Sequence, residues 1–251
     1  MKTKIIRFKS GGHTLYGVLE KPEKNNGVPI LLLHGLTNSM KNCPLINEAA
    51  TALHKKGFPT FRFDYFGSGK SEGEFKEKTF MILYRNTIDG FKLLTKKLGY
   101  KKIGIWGRSL GAILGATICD NPCIFASVFI SFTVHTHISF SRFFDKNKPY
   151  SFPVKGTGEI KGEAILPYQY YKETLLIDSL QKKHLSKAKN VLIIQGTADK
   201  TVYDHTWAKE IYRLVKGKKK LEYIEGADHA YKGLKQIVIN KALDWFLANK
   251  D

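Results

Sequence analysis

Gly107-Arg108-Ser109-Leu110-Gly111 fits the pattern G-x-S-x-G, and its surroundings give the match meaning. Lys102 to Trp106 before it reads as a short strand, and Leu110 to Cys119 after it, rich in Ala, Leu and Ile, reads as a buried helix. A sharp strand-to-helix turn forces the serine into a strained conformation and exposes its Oγ, while small residues at 107 and 111 let the flanking backbones pass closely. The helix that follows aims its free N–H groups at the same place. The pattern alone arises often by chance; strand, turn and helix together make it specific. The chemistry it suggests is nucleophilic attack on an acyl carbonyl.

A nucleophilic serine needs a base, and the base needs an orienting acid. On this kind of turn the chain order is serine, acid, histidine. Asp199 follows the apolar run Val191 to Ile194, and His229 follows Leu221 to Ile224, so both stand in loops just after late strands. Asp204 and Asp228 are rivals for the acid. Asp204 stands where it would cap a helix, and Asp228 adjoins the histidine and has difficulty reaching round to Nδ1. None of the other histidines, at 13, 34, 54, 135, 137, 184 and 205, follows a late strand.

Leu31-Leu32-Leu33-His34-Gly35-Leu36 completes the set. An apolar strand ends near Leu33, and the chain turns at His34-Gly35. The backbone N–H groups of Leu36 and Leu110 are the expected oxyanion donors, from this loop and from the residue after the nucleophile. His34 is expected to hold the loop by a hydrogen bond rather than to act on substrate. Gly69-Lys70-Ser71 resembles the end of a phosphate-binding loop, but that motif needs Gly where this chain has Asp64, and Glu72-Gly73 interrupts any helix behind it. Nucleotide binding is rejected on that ground.

The elements that must carry these residues alternate. Lys4 to Lys9 and Thr14 to Glu20 flank Gly11-Gly12 and read as a hairpin. Val28 to Leu33, Phe58 to Phe63, Lys102 to Trp106, Phe125 to Ser131, Val191 to Gln195 and Leu221 to Ile224 read as further strands. Helices are expected at about 43–55, 79–98, 110–119, 204–214 and 233–248. Strand alternating with helix argues for a mostly parallel sheet covered on both faces. Thr133 to Lys187 breaks the rhythm and is too long for a simple crossover. It holds Phe140, Phe143, Phe144, Tyr150, Phe152, Tyr168, Tyr170 and Tyr171. The expectation is an insertion covering the C-terminal edge of the sheet, a lid over the substrate; the plainer alternative is that these aromatics pack a small core of their own.

The length of 251 residues suits one domain, 1–251, and 43% hydrophobic with 25% charged residues is ordinary for a soluble globular chain. No apolar stretch is long enough to span a membrane, and Met1 to Ser10 reads as a strand rather than a leader, so a cytoplasmic location is expected. Cys43, Cys119 and Cys123 give no disulfide framework and no zinc spacing. The formal charge of +19 comes almost wholly from scattered lysines, with little Arg for reading bases or clamping phosphates. It reads as solvated surface, with weak attraction to anionic surfaces or anionic esters as the alternative, and not as nucleic-acid binding.

Taken together, His34-Gly35, Asp64-x-x-Gly67-x-Gly69-x-Ser71, Gly107-x-Ser109-x-Gly111, Asp199 and His229 resemble the α/β-hydrolase superfamily along nearly the whole chain. Size and the insertion before the acid-bearing strand resemble the small bacterial cinnamoyl or feruloyl esterases and related short-chain acyl esterases. The resemblance implies an eight-stranded, mostly parallel sheet with helices on both faces and a lid at about 133–187. It implies a serine carboxylic-ester hydrolase acting through an acyl-enzyme on short-chain or aryl esters, with no metal and no organic cofactor. A monoacylglycerol lipase, thioesterase or peptidase of the same fold is the nearest alternative; a non-enzymatic binder on this scaffold would have no need of all three groups. The expected partner is a small-molecule ester, with no nucleic acid and no stable membrane insertion; a homodimer is compatible with this reading.

Overall fold

The computed structural model describes residues 1–148, 150–154 and 162–250, and within these leaves the side chains of residues 150–154, 162 and 163 undescribed. Tyr150 and Phe152, two of the insertion's aromatics, therefore have side chains outside what is described. In chain order the elements are β1 (Lys2–Ser10), β2 (His13–Lys21), β3 (Ile30–Leu33), α1 (Pro44–Lys55), β4 (Thr60–Phe63), α2 (Phe80–Lys92), β5 (Ile103–Arg108), α3 (Leu110–Ala116) and β6 (Ile124–Ile130). Then come α4 (Thr136–Ser141), β7 (Tyr150–Val154), β8 (Gly162–Leu166), α5 (Tyr168–Lys172), α6 (Thr174–Leu185), β9 (Val191–Gly196), α7 (Thr206–Leu214), β10 (Lys219–Ile224) and α8 (Lys235–Asn249).

Eight strands form one sheet in the order β1-β2-β4-β3-β5-β6-β9-β10. The β1–β2 hairpin turns at Gly11-Gly12 and pairs antiparallel from Lys2↔Lys21 to Ser10↔His13. β2 joins β4 antiparallel, and from β4 to β10 every pairing is parallel. Parallel strands cannot be joined by tight turns, so each crossover must carry a helix over a face of the sheet. The side chains follow the two-residue period of a strand. Leu31, Leu33, Ile103, Ile105 and Ile193 share one core with α2, α3, α6 and α7. Ile30, Leu32, Trp106, Leu192 and Ile194 share the other with α1 and α8. Burial on both faces explains why these strands read as unbroken apolar runs. The outer strand β1 instead exposes Lys2, Lys4 and Lys9, charges that discourage edge-to-edge pairing with another chain.

The boundaries shift in informative ways. The helix expected over 79–98 is α2 followed by a π-helical turn, Leu93–Lys97, with the Thr95 hydroxyl donating to the Phe91 carbonyl at 3.1 Å. The helix expected over 110–119 ends at Ala116, where the Thr117 hydroxyl donates to the Leu114 carbonyl at 2.6 Å. The stretch 133–187 holds α4, the two-stranded β7–β8 ribbon, α5 and α6. Its last helix, α6, packs on α3 and contributes Ile177 and Leu185 to the core. Within the stretch, Tyr170 is fully buried with its ring 4.1 Å from Phe80, and Phe144 stacks on Tyr171 at 5.2 Å. Those aromatics pack against each other and the start of α2, while Phe143 is exposed.

Candidate active site

β5 runs two residues further than expected and delivers the chain directly into Ser109. Ser109 has φ 53° and ψ −120°, a backbone conformation that costs a non-glycine residue of order 1–3 kcal/mol. The turn is held because the Ser109 N–H donates to the Ile130 carbonyl at 2.8 Å, on the neighbouring strand β6. The flanking glycines make room. A Cβ on Gly107 would meet the Gly111 carbonyl oxygen at 2.5 Å, and one on Gly111 would meet the Leu33 oxygen at 2.1 Å. No side chain fits at either place without moving backbone, so strand β5, helix α3 and the end of β3 can converge only with glycine there.

Three residues far apart in sequence meet at this turn. His229 Nε2 lies 3.2 Å from Ser109 Oγ, and His229 Nδ1 lies 2.8 Å from Asp199 Oδ2. A carboxylate only accepts, so Nδ1 carries the proton and Nε2 is left to accept from the serine hydroxyl. Asp199 is buried, and its Oδ1 accepts the N–H groups of Thr201 at 2.8 Å and Val202 at 3.0 Å. Burial alone would push the Asp199 carboxyl up. The hydrogen bond and charge of His229, with the Val202 N–H and the Ser131 hydroxyl, outweigh it and hold the group below the usual carboxylate range. Burial also dominates at His229 and pulls its pKa below 6.5; the Asp199 hydrogen bond works the other way, and the Arg108 charge adds to the lowering.

The two rival acids are engaged elsewhere. Asp204 is half-buried and accepts from the Thr206 N–H at 2.9 Å and the Thr206 hydroxyl at 2.6 Å, at the start of α7. Asp228 folds onto its own turn, accepting the N–H groups of Ala230 at 3.0 Å and Lys232 at 3.1 Å. His34 is buried. Its Nδ1 donates to the Gly35 carbonyl at 2.8 Å and its Nε2 accepts the Tyr65 N–H at 3.4 Å. Burial, opposed by the Gly35 hydrogen bond, brings its pKa down to about 3. It is a neutral strut for the turn after β3. The backbone N–H groups of Leu36 and Leu110 have no hydrogen-bond partner among the described residues.

Several contributors carry no local sequence signal. Ser131 Oγ and Tyr231 Oη lie 2.8 Å apart, buried, and both belong to the surroundings of Asp199. Ser131 and Tyr231 have φ 49° and 54°, so three of the four described non-glycine residues with positive φ cluster at this site. Arg108 bridges two loops, and Asn38 is one of its anchors. Among the described residues there is no group of His, Cys, Asp and Glu arranged to hold a metal ion, and no helix is long and apolar enough to cross a membrane.

A family model for the alpha/beta hydrolase fold matches residues 28–154, just over half of the chain and inclusive of the turn after β3 and Ser109. Among solved structures, Est1E from Butyrivibrio proteoclasticus with ferulic acid bound superposes with a TM-score of 0.83 at 22% identity, covering 97% of this chain and 98% of that one. The esterase domain of a Rhodothermus marinus protein gives a TM-score of 0.73 at 18% identity, over 98% of both chains. The alpha/beta hydrolase GrgF from Penicillium sp. sh18 gives 0.78 at 15% identity, over 99% of both. At these identities the likeness is one of fold. None of the curated proteins compared with the chain matches it. The eight-stranded sheet, the glycine-flanked serine turn and the family match together make this chain a member of the α/β-hydrolase family.

Proposed function

We propose that the chain is a serine carboxylic-ester hydrolase working through an acyl-enzyme. The observation that carries the reading is the unbroken hydrogen-bonded series Ser109–His229–Asp199 on a strained turn. Ser109 Oγ attacks the ester carbonyl carbon as His229 Nε2 takes its proton. Asp199 holds the Nδ1–H tautomer and balances the imidazolium. The negative charge that develops on the carbonyl oxygen is met by the N–H groups of Leu36 and Leu110, each worth roughly 3 kcal/mol of transition-state stabilisation. His229 then gives its proton to the departing alcohol oxygen. A water molecule, deprotonated by His229, attacks the acyl carbon, and Ser109 leaves with its proton restored.

The substrates that fit best are short-chain or aryl esters. The fold likeness to an esterase solved with ferulic acid supports this choice. In this reading α4, the β7–β8 ribbon and α5 form a lid over the acyl group. The Arg142 guanidinium, at the end of α4, donates to the Thr201 carbonyl at 3.5 Å and so ties that lid to the loop of Asp199.

Hydrolysis of p-nitrophenyl esters from acetate to palmitate, with methyl ferulate, tests the substrate class. Activity concentrated on the short and aryl esters is expected. A preference for the longest chains would overturn the short-chain assignment in favour of a lipase. Asp199→Asn should lower kcat by about 10⁴-fold, while Asp204→Asn should leave it unchanged. Equal losses in the two variants would contradict the choice of acid.

A further inference from the structure

Arg108 fills the variable position of the serine turn, where the motif itself makes no demand. Its side chain is nonetheless committed on two sides. Nη1 donates to Asn38 Oδ1 at 3.1 Å, and Nη2 donates to the His229 carbonyl at 2.8 Å. Asn38 belongs to the turn after β3, the turn that carries the Leu36 N–H. Its amide donates in the other direction to the Asn42 carbonyl at 3.1 Å, which anchors it ahead of α1. The guanidinium lies against that turn: a Cβ built on Gly35 would stand 3.0 Å from Arg108 Nη1, 3.1 Å from Asn38 Oδ1 and 3.7 Å from Ser109 Cβ.

These contacts span the machinery. One hand of the fork holds the loop of the proposed oxyanion donor, the other holds the backbone of the proposed base, and the residue itself is adjacent to the nucleophile. Only a planar fork with donors on two nitrogens reaches both at once; a lysine ammonium at the end of a flexible stem cannot reproduce that geometry. No carboxylate among the described residues pairs with Arg108. Three charged groups bear on the His229 ring: Asp199 and Asp228 favour the imidazolium, and Arg108 opposes it.

We infer that Arg108 is a positioning residue for the reaction, a brace that fixes the base loop and the oxyanion loop to each other across the nucleophile. The inference rests on the serine-hydrolase reading. Its two physical parts are separable, since geometry needs the fork and the electrostatic effect needs only the charge. Arg108→Lys keeps the charge and loses the fork. Arg108→Met loses both. Asn38→Ala keeps the charge and removes one anchor.

The test is p-nitrophenyl acetate hydrolysis by wild type and these three variants, with kcat and KM separated and kcat/KM followed against pH. Labelling of Ser109 by a fluorophosphonate, read by mass spectrometry, accompanies it. Arg108→Met and Arg108→Lys should each lose about tenfold in kcat with KM within about twofold of wild type, since the brace acts on the reacting geometry and not on substrate contact. Asn38→Ala should lose less, in kcat again. The acid limb of the profile should move to higher pH in Arg108→Met, because the repulsion that disfavours the imidazolium is gone. It should stay in place in Arg108→Lys and Asn38→Ala. Wild-type kcat in Arg108→Met, or full restoration of kcat by lysine, would overturn the brace while wild-type labelling left the serine-hydrolase reading intact. A wild type that neither turns over ester nor accepts the fluorophosphonate would remove that reading and the brace with it.

Discussion

Ser109, His229 and Asp199 differ in what makes each of them suited to its proposed role. Ser109 is presented by backbone strain, Asp199 by two backbone N–H groups and burial, and His229 by the carboxylate behind it. The electrostatics give a signed prediction. His229 must be neutral to accept the serine proton, and burial followed by the opposing Asp199 hydrogen bond and the Arg108 charge leave its pKa below 6.5. The neutral form therefore persists to lower pH than for an ordinary histidine. A profile of kcat/KM against pH should rise through a midpoint below that value. A midpoint above it would mean that the carboxylate dominates the ring and that the assignment of causes is wrong.

At the scale of elements, the site depends on four strand ends brought close: β3, β5, β9 and β10, with the start of α3 wedged against the first two. Gly111 is the tightest point, since a Cβ there would lie 2.1 Å from the Leu33 oxygen and 2.8 Å from the His34 oxygen. Gly111→Ala should destabilise the fold by about 3 kcal/mol, because backbone and not a pliable side chain stands in the way. It should also depress kcat by displacing the Leu36 turn. Urea denaturation beside steady-state kinetics checks both; a wild-type midpoint would show the packing to be looser than this. Elements of this kind were readable in the sequence because buried parallel strands are unbroken apolar runs and each proposed catalytic residue stands just past one. The helix α6 was not readable. Its inward face includes Asp178 and Gln181, and Asp178 accepts the Thr136 N–H at 2.8 Å and the His137 N–H at 3.1 Å at the start of α4. A helix that buries polar groups to cap another helix gives no apolar period. Arg108 and Asn38 were missed for a related reason. Their bond joins residues 70 apart, and the Arg108 bond to His229 joins residues 121 apart, so no local pattern announces them.

At the scale of the molecule, the formal charge of +19 sits on a hydrolase fold whose family match and site geometry call for no polyanion. Its physical consequence is a positive field that raises the local concentration of anionic solutes. For an ester bearing a free carboxylate, kcat/KM should fall several-fold as salt rises from about 0.01 to about 0.15 M, since the screening length shortens from roughly 30 to 8 Å. A neutral ester of the same length should be indifferent. Equal salt responses would mean that the charge is surface solvation without bearing on substrate capture. All of these expectations depend on one covalent event at one oxygen. The most direct measurement is rapid quenching of the protein with p-nitrophenyl acetate, followed by peptide mass spectrometry, on wild type and Ser109→Ala. The account predicts an acetyl group on Ser109 in the wild type during turnover, and neither adduct nor turnover in a folded Ser109→Ala. Undiminished hydrolysis by that variant, or an acetyl group on another residue that turns over at the catalytic rate, would contradict it.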